Sequence, residues 1–489
     1  MASGFYVQPC EVYGDNKCDE VVGLDLNLSS MSCLPFSSLS TLENSSAVWE
    51  IPFIDETRNL KRVKLENSAD ESIVSTNYSL YSGSGSMYTG GFNSLSRIQI
   101  RDHISAYTRR YMAAEAMEEA ASTMLGGEPE EEGSGDGMKL VQKLISCAEA
   151  VACRDKTHAS ALLYELRTNA QVFGTSFQRV ASCFIQALSD RLALVQPLGA
   201  VGVTTKIIGV SSEKDEALHL VYDICPHIRF SHFVANTSIL EAFEGESSVH
   251  VIDLGMTLGL LHGYQWRNLI DSLASRTGRL PRLRITGVGN SCERLEAIGN
   301  ELKLYAQNIE LEFEFLALES NLENLKAEDF SLIDGEVLVI NSILQLHCLV
   351  KESRGALNSD SSHNGPFFLG RFMEALHNYS AIFDSLDAML PKYDTRRAKV
   401  EQFYFGEEIK NIVSCEGPAR VERHERIDQW RRRMRRAGFQ PAPLKTITQA
   451  TKWLEKNASE GYTIVEDKGC FVLGWKSKPI IAASCWRCS

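Results

Sequence analysis

Apolar residues recur at helical spacing in three stretches between residues 138 and 192. Within each stretch they return every three or four positions, as on one face of a packed helix. The polar segments CRDKTHAS and VFGTS separate the stretches and are typical of turns. This pattern predicts a small helical bundle, whose apolar faces are either buried inside it, the favoured interpretation, or open to a partner. The three apolar sets are Leu140, Val141, Leu144, Ile145, Ala148 and Val151; Leu162, Leu163 and Leu166; and Phe177, Val180, Ala181, Phe184, Ile185, Leu188 and Leu192.

Beyond residue 245 the pattern changes to short apolar runs that alternate with helical segments. The runs are VHVID, LRITGV, LEFEFLAL and EVLVINSIL, and this rhythm is typical of a mostly parallel sheet covered on both faces. Three final runs, GYTIVED, CFVLGWK and PIIAASCWR, are separated by short turns and indicate an antiparallel meander. The predicted fold class is α/β, with a methyltransferase-like Rossmann core over 246–489 and a mainly helical cap and lead-in over 138–245.

The chain before residue 138 has a different composition. Residues 1–96 are rich in Ser, Asn and Gly without a sustained period, which predicts a mostly disordered arm. Apolar residues at helical spacing then predict a helix over 97–123. An acidic, glycine-rich linker follows over 124–137, and the folded domain, 138–489, is expected to begin after it.

Composition narrows the classes of function. A net charge of −13 argues against nonspecific coating of nucleic acid, so any DNA contact needs a local basic patch. No uninterrupted apolar run is long enough to cross a membrane, and the first residues do not resemble a secretory signal. The 13 cysteines are scattered, which favours free thiols in a reducing compartment. The CxxC at Cys485 and Cys488 is better explained as two ordinary cysteines beside a packed tryptophan than as a zinc site.

One segment resembles the start of a cofactor site. In VHVIDLGMTLG the apolar strand runs into Asp253, Gly255 and Gly259, and glycine after a first strand lets a cofactor approach the backbone. However, Thr257 stands where a methyltransferase loop usually has a second glycine. The second strand ends in GNS rather than in the acid that would bind ribose hydroxyls.

Other catalytic chemistry is weaker. His347 follows the predicted fourth strand, but a single histidine without an assignable partner is more often structural. Hydrolase, zinc-protease and P-loop motifs do not occur in the sequence. We therefore expect no enzyme activity, cofactor, metal or catalytic residue. The alternative is a protein that binds S-adenosylmethionine or transfers its methyl group at Asp253, Gly255 and Gly259.

Several ordered motifs together resemble the GRAS family of plant transcriptional regulators. VHVIDLG is similar to the family's VHIID motif, and PHIRFSHFVANTSILEAF to the segment before it. The helices from Leu140 to Leu192 resemble the first leucine-rich region, and LRITGVG with the following helix resembles the start of the second. The block EQFYFGEEIKNIVSCEGPARVERHERIDQWRRRMRRAGF contains a match to the RVER segment, and GYTIVEDKGCFVLGWKSKPIIAASCWR resembles the SAW motif.

This resemblance implies a helical cap on a Rossmann-like core, a nuclear location, and gene regulation through partner transcription factors. It also implies pairing with other GRAS proteins as a homodimer or heterodimer, while leaving open whether DNA is bound directly or through partners. The literal DELLA segment is absent, so hormone-triggered degradation is not carried over. Root patterning, hormone response and mycorrhizal symbiosis occur in the family, and overall similarity favours symbiosis.

Three further motifs suit a regulator. Leu24, Leu26 and Leu28 alternate in GLDLNLSS, which resembles the LxLxL motif that recruits TOPLESS-type corepressors. Lys61, Arg62 and Lys64 form a basic cluster of the nuclear-import type. In QWRRRMRRAGF, arginines spread around a predicted helix, some solvated and others able to pair with Glu422 or Glu425. A solvated helix is favoured over phosphate or DNA contact, for which the candidates are Arg432, Arg433, Arg435 and Arg436.

Overall fold

The computed structural model describes residues 2–7, 134–193, 211–256, 263–276, 281–350, 367–391, 393–476 and 478–488. Twelve α-helices lie in these ranges. They are α1 Ser134–Ala152, α2 Lys156–Asn169, α3 Ser176–Leu192, α4 Ser211–Ile224, α5 Pro226–Ala242, α6 Tyr264–Ala274, α7 Cys292–Gln307, α8 Phe368–Met389, α9 Thr395–Val400, α10 Gly406–Ser414, α11 Ile427–Arg436 and α12 Ile447–Asn457. A π-helical turn, Glu401–Phe405, joins α9 to α10. None of the described helices has both the length and the apolar character needed to cross a membrane.

The strands form one nine-stranded sheet. They are β1 Ala2–Val7, β2 Ser248–Asp253, β3 Arg282–Gly289, β4 Phe313–Glu319, β5 Val337–Ile343, β6 Phe439–Ala442, β7 Tyr462–Asp467, β8 Cys470–Trp475 and β9 Lys478–Cys488. Their order is β4-β3-β2-β5-β1-β9-β8-β7, with β6 paired to β9 off this path. Strands β2 to β5 pair in parallel, and β7, β8 and β9 form the antiparallel meander. The α/β architecture with antiparallel C-terminal strands is therefore confirmed.

The parallel strands are continuous apolar runs because both faces of the sheet are covered. Every residue of β5 is buried, and β2 and β3 are buried apart from their first residues. One face contributes to the large core shared with the cap helices. On the other face, Ile252 and Ile340 belong to a smaller core that includes Trp430 and Met434 of α11. Burial of these side chains supplies the main free energy that holds α11 against the sheet.

The cap helices bury the stripes that the sequence predicts. Leu144, Leu166 and Phe184 are fully buried, which confirms packing within the bundle as the role of these faces. The polar turns act as helix caps. Asp155 accepts a hydrogen bond from the amide of His158, and Thr175 forms a capping box with Gln178.

Two boundaries differ from the sequence prediction. Helix α1 begins at Ser134, so the last four residues of the predicted linker over 124–137 are helical. The aromatic ring of Phe177 lies against Gly137, which draws this first turn into the bundle. In addition, Ala2–Val7 is a strand, although it lies in the arm over 1–96 that the sequence predicts to be mostly disordered. Its backbone is paired on both sides, and strand pairing outweighs the weak local preference of a short segment.

Candidate functional site

Asp253 lies at the carboxyl end of β2, where a Rossmann fold places its ligand. Its carboxylate is buried and is already engaged by the protein. The indole of Trp266 donates to Oδ2 at 3.0 Å, and the amide side chain of Asn341 donates to Oδ1 at 3.1 Å. The backbone amide of Gly255 donates a third, longer bond of 3.3 Å. Burial raises the pKa of Asp253 to about 6, against the lowering effect of these hydrogen bonds.

Protein side chains also fill the space beside the β2 loop. A Cβ on Gly255 would lie 2.7 Å from Cγ of Gln345, and one on Gly287 would lie 2.5 Å from the sulfur of Met256. Glycine here makes room for side chains of the same chain. The cavity that remains measures about 40 Å³, far below the roughly 300 Å³ at which ligand pockets begin. It is lined by Val221, Ile228, His232, Asp253, Gly255, Met256, Gly263, Tyr264, Gln265, Trp266, Asn341, Ile343, Leu344 and Tyr404.

The end of β3 does not supply a ribose-binding acid in the described structure. The strand ends at Gly289, and Ser291 is the N-cap of α7, accepting from the amide of Arg294. Glu293 lies in the first turn of that helix rather than at the end of the strand. The remaining loop residues, Thr257 and Gly259, lie outside the described residues.

The sequence assigns no partner to His347, but the structure places two polar side chains beside it. His347 Nε2 lies 2.7 Å from Oε2 of Glu422, and His424 Nε2 lies 3.2 Å from the same oxygen. The two imidazole rings stack with their centroids 4.1 Å apart. Sequence reasoning missed this cluster because 75 residues separate His347 from Glu422. A signal was present in the RVERHER block, where an acid and a histidine stand two positions apart.

The positive charge of His347 and the negative charge of Glu422 balance each other within this cluster. Burial opposes a charge on His347, but Cys348 and Glu422 outweigh burial and raise its pKa well above the usual value. The pKa of Glu422 is lowered, mainly because the charge of His347 overcomes the effect of burial. Burial, with the neighbouring His347, lowers the pKa of His424 to about 3. The result is a buried imidazolium–carboxylate pair with a neutral histidine stacked on it.

The cluster is the one group of three potential metal ligands among the described residues, with ligand atoms within 4.8 Å of one another. Its geometry fits hydrogen bonds better than metal bonds. Ligands bound to zinc at about 2.0–2.1 Å lie about 3.3 Å apart, whereas the His347–Glu422 contact is 2.7 Å. Nδ1 of His347 also has no hydrogen-bond partner, although metal-bound histidines usually donate from that second nitrogen. We therefore describe the cluster as structural.

The arginines of α11 divide into two groups. Arg433 forms a two-pronged ion pair with Glu425, at 2.6 and 2.7 Å, which confirms one of the predicted pairings. Arg431 is buried and binds Asp428 and Asp467. The other predicted acid, Glu422, binds His347 and His424 instead. The remaining arginines, exposed and one turn apart on a single helix face, are Arg432, Arg435 and Arg436.

Three large apolar side chains of the cap that are close in sequence are exposed, namely Tyr164, Val172 and Phe173. Tyr164 lies on α2 and is 75% exposed, and the other two follow this helix in the turn before α3. The regulatory motifs predicted from the sequence, in contrast, lie outside the described residues. These are Leu24, Leu26 and Leu28, and Lys61, Arg62 and Lys64.

Comparisons with known proteins agree with this architecture. The sequence matches the GRAS domain family over residues 140–361 and 356–487. It is 58% identical to the GRAS family protein RAD1 of Lotus japonicus, over 95% of this chain and 96% of that protein. It is 36% identical to the DELLA protein GAI1 of Vitis vinifera, over 72% of this chain and 62% of the relative. The crystal structure of SCL7 in Oryza sativa superimposes with a TM-score of 0.61 at 31% identity, covering 71% of this chain and 99% of SCL7. The chain therefore belongs to the GRAS family of plant transcriptional regulators.

Proposed function

We propose that this chain is a nuclear transcriptional regulator that works as a protein-binding scaffold rather than as an enzyme. The proposal rests mainly on the hydrogen bonds that the buried carboxylate of Asp253 accepts. Its three donors come from the protein itself, so the carboxylate that would mark a cofactor site instead joins β2 to β5 and α6. Because side chains of the protein fill this crevice, partners would bind at the outer surfaces of the fold.

The proposed partners are other GRAS proteins and transcription factors, bound as a homodimer or heterodimer. The exposed side chains of Tyr164, Val172 and Phe173 support this proposal, because aromatic residues are enriched at protein-binding surfaces. The basic face of α11 offers a separate surface for phosphate. Contacts from it would be salt-sensitive and independent of DNA sequence, so target choice would rest with partners.

Two predicted motifs complete the proposal. Lys61, Arg62 and Lys64 would direct nuclear import, and Leu24, Leu26 and Leu28 would recruit a TOPLESS-type corepressor. The biological process proposed is root symbiosis, with plant development as the alternative. Overall similarity to the GRAS family supports this choice.

A tethered reporter assay tests regulation and repression together. The full-length chain, fused to an unrelated DNA-binding domain in plant cells, is expected to lower reporter output several-fold. Replacing Leu24, Leu26 and Leu28 by alanine should relieve this repression, because the groove of a corepressor would lose all three apolar anchors.

The matched control replaces three serines of the same arm, Ser37, Ser38 and Ser40, by alanine at equal protein level. This control is expected to repress like the wild type. Unchanged output from the leucine variant would remove the corepressor motif. A chain without any effect on the reporter, while present in the nucleus, would contradict the proposed regulatory function itself.

A further inference from the structure

The centre of the sheet contains a strand from far outside the family domain. Strand β1 lies between β5 and β9 and separates them. It pairs antiparallel with β5, where Phe5 is the partner of Ser342, and parallel with β9 along six consecutive residues, Ala2 to Val7 against Ile481 to Trp486. It belongs to the same compact unit as the family domain. We call the space between β5 and β9 the strand slot.

The family match indicates that this arrangement joins two separate parts of the chain. The match covers 140–361 and 356–487, so residues 2–7 lie outside it. Its two segments meet within 356–361, in the connection that leaves β5 for α8. Strand β1 is therefore added to the sheet from outside the residues that the family match covers.

The slot needs an occupant for reasons of backbone chemistry. The residues of β9 from Ile480 to Trp486 are all buried, as is the whole of β5. Strand β1 supplies backbone partners to both of these strands, at Ser342 and Ile343 of β5 and along Ile481 to Trp486 of β9. Buried backbone groups are almost always paired, and each one left unpaired is costly. An extended peptide satisfies both edges at once, which is the basis of recognition by strand addition.

We propose that the strand slot is a peptide-binding site and that its ligand is the chain's own segment Ala2–Val7, docked within the same molecule. Residues 8–133 connect this ligand to α1, so the segment is tethered by a long connection rather than held by a tight turn. A long connection gives only a modest effective concentration, which makes the docked strand exchangeable. The family domain of this chain therefore depends on a distant segment to complete its sheet.

Engineered cysteines test both the location and the register of the strand. The variant Phe5→Cys with Ser342→Cys places two thiols on residues that face each other across β1 and β5, at a spacing that a disulfide can span. Ser342 is buried and its hydroxyl has no hydrogen-bond partner, so cysteine replaces it without losing a bond. Mild oxidation of the full-length protein, followed by peptide mapping, is expected to show a disulfide between these two positions within one molecule.

The matched control is Gly4→Cys with Ser342→Cys. Neighbouring residues of a strand point to opposite faces of the sheet, so this pair should form at least tenfold less disulfide. Equal crosslinking of both pairs, or of neither, would overturn the proposal. A disulfide between two molecules would overturn docking within the same molecule.

Hydrogen exchange provides a second measurement. The substitution Phe5→Pro removes a backbone donor and is incompatible with a central strand. It is expected to raise amide exchange at least tenfold along Ile481 to Trp486, and an added peptide of sequence ASGFYV should restore protection. Ser45→Pro is the control and should exchange like the wild type. Equal protection in Phe5→Pro and the wild type would contradict the proposal, and the cysteine pair remains decisive if that variant does not fold.

Discussion

At Asp253, three donors of the protein occupy the carboxylate that a Rossmann site would present to a cofactor. The sequence identified this residue and Gly255 as the turn of such a site. It gave no indication that Trp266 would fill the position beside them, because the indole reaches back from α6 across 13 residues. Asn341 comes from β5, 88 residues away, and its contact depends on the order of the strands. The type of turn was therefore predictable from the local sequence. The side chains that bond to the Asp253 carboxylate were not, because they come from distant segments.

This arrangement predicts the outcome of a binding experiment with S-adenosylmethionine. Titration into the full-length protein is expected to give no saturable heat, corresponding to a Kd weaker than about 1 mM. The reason is that the cavity beside Asp253 holds about 40 Å³ and that the carboxylate is already satisfied. Cooperative thermal unfolding of the same sample would show that the protein is folded. A micromolar Kd that Asp253→Asn weakens would support the methyl-transfer alternative instead.

Buried ion pairs connect helices that no local pattern joins. Arg179 of α3 lies 2.9 Å from both Glu401 of the π-helical turn and Asp387 of α8, and its other donors bind backbone carbonyls. Asp387 would still pair with Arg179 if Glu401 were removed, and Arg397 lies 3.8 Å from Glu401, so the charges form a network rather than a single pair. Arg179 and Glu401 are 222 residues apart.

Buried charged side chains also explain why some helices could be predicted from the sequence and others could not. The cap stripes and the parallel strands were visible as apolar periods, because their buried positions are apolar. Between residues 368 and 436, buried polar side chains such as Arg371, Arg397 and Glu401 interrupt that period. Their burial depends on distant partners, so a local reading counts them as exposed. Strand β1 was missed for a related reason, since its pairing lies entirely with β5 and β9.

The proposal that the exposed face of α11 contacts phosphate can be tested by measuring DNA affinity. Replacing Arg432, Arg435 and Arg436 by glutamate is expected to lower affinity for any duplex at least tenfold and to flatten its dependence on salt, because these side chains would release phosphate counterions. A gel-shift series at several salt concentrations measures both. Arg433→Gln on the same helix is the control and should leave DNA affinity unchanged, since Arg433 pairs with Glu425. Equal affinity of the triple variant and the wild type would exclude this face.

For the whole molecule, buried titratable groups determine how stability depends on pH. Burial raises the pKa of three acids, so the stability that they contribute is present at low pH and is lost as pH rises from their unfolded values through about 6 to 8. Burial lowers the pKa of four histidines to about 3 or 4, so stability is lost as pH falls below about 6.5. Stability is therefore expected to decline on both sides of a maximum. The acids are Asp253, Glu401 and Glu408, and the histidines are His227, His232, His250 and His424.

The acid side of this profile is assignable to single residues such as His227. Burial lowers its pKa from 6.5 to about 4, so the unfolded chain takes up a proton between pH 7 and pH 5 that the folded chain refuses. One such histidine makes the free energy of unfolding about 2 kcal/mol smaller at pH 5 than at pH 7. His227→Gln should reduce the fall in melting temperature between these pH values, whatever its effect on stability at pH 7. The exposed His158→Gln serves as the control and should keep the wild-type fall. If His227→Gln and the wild type lose equal stability on acidification, the proton uptake of the unfolded chain lies at other residues.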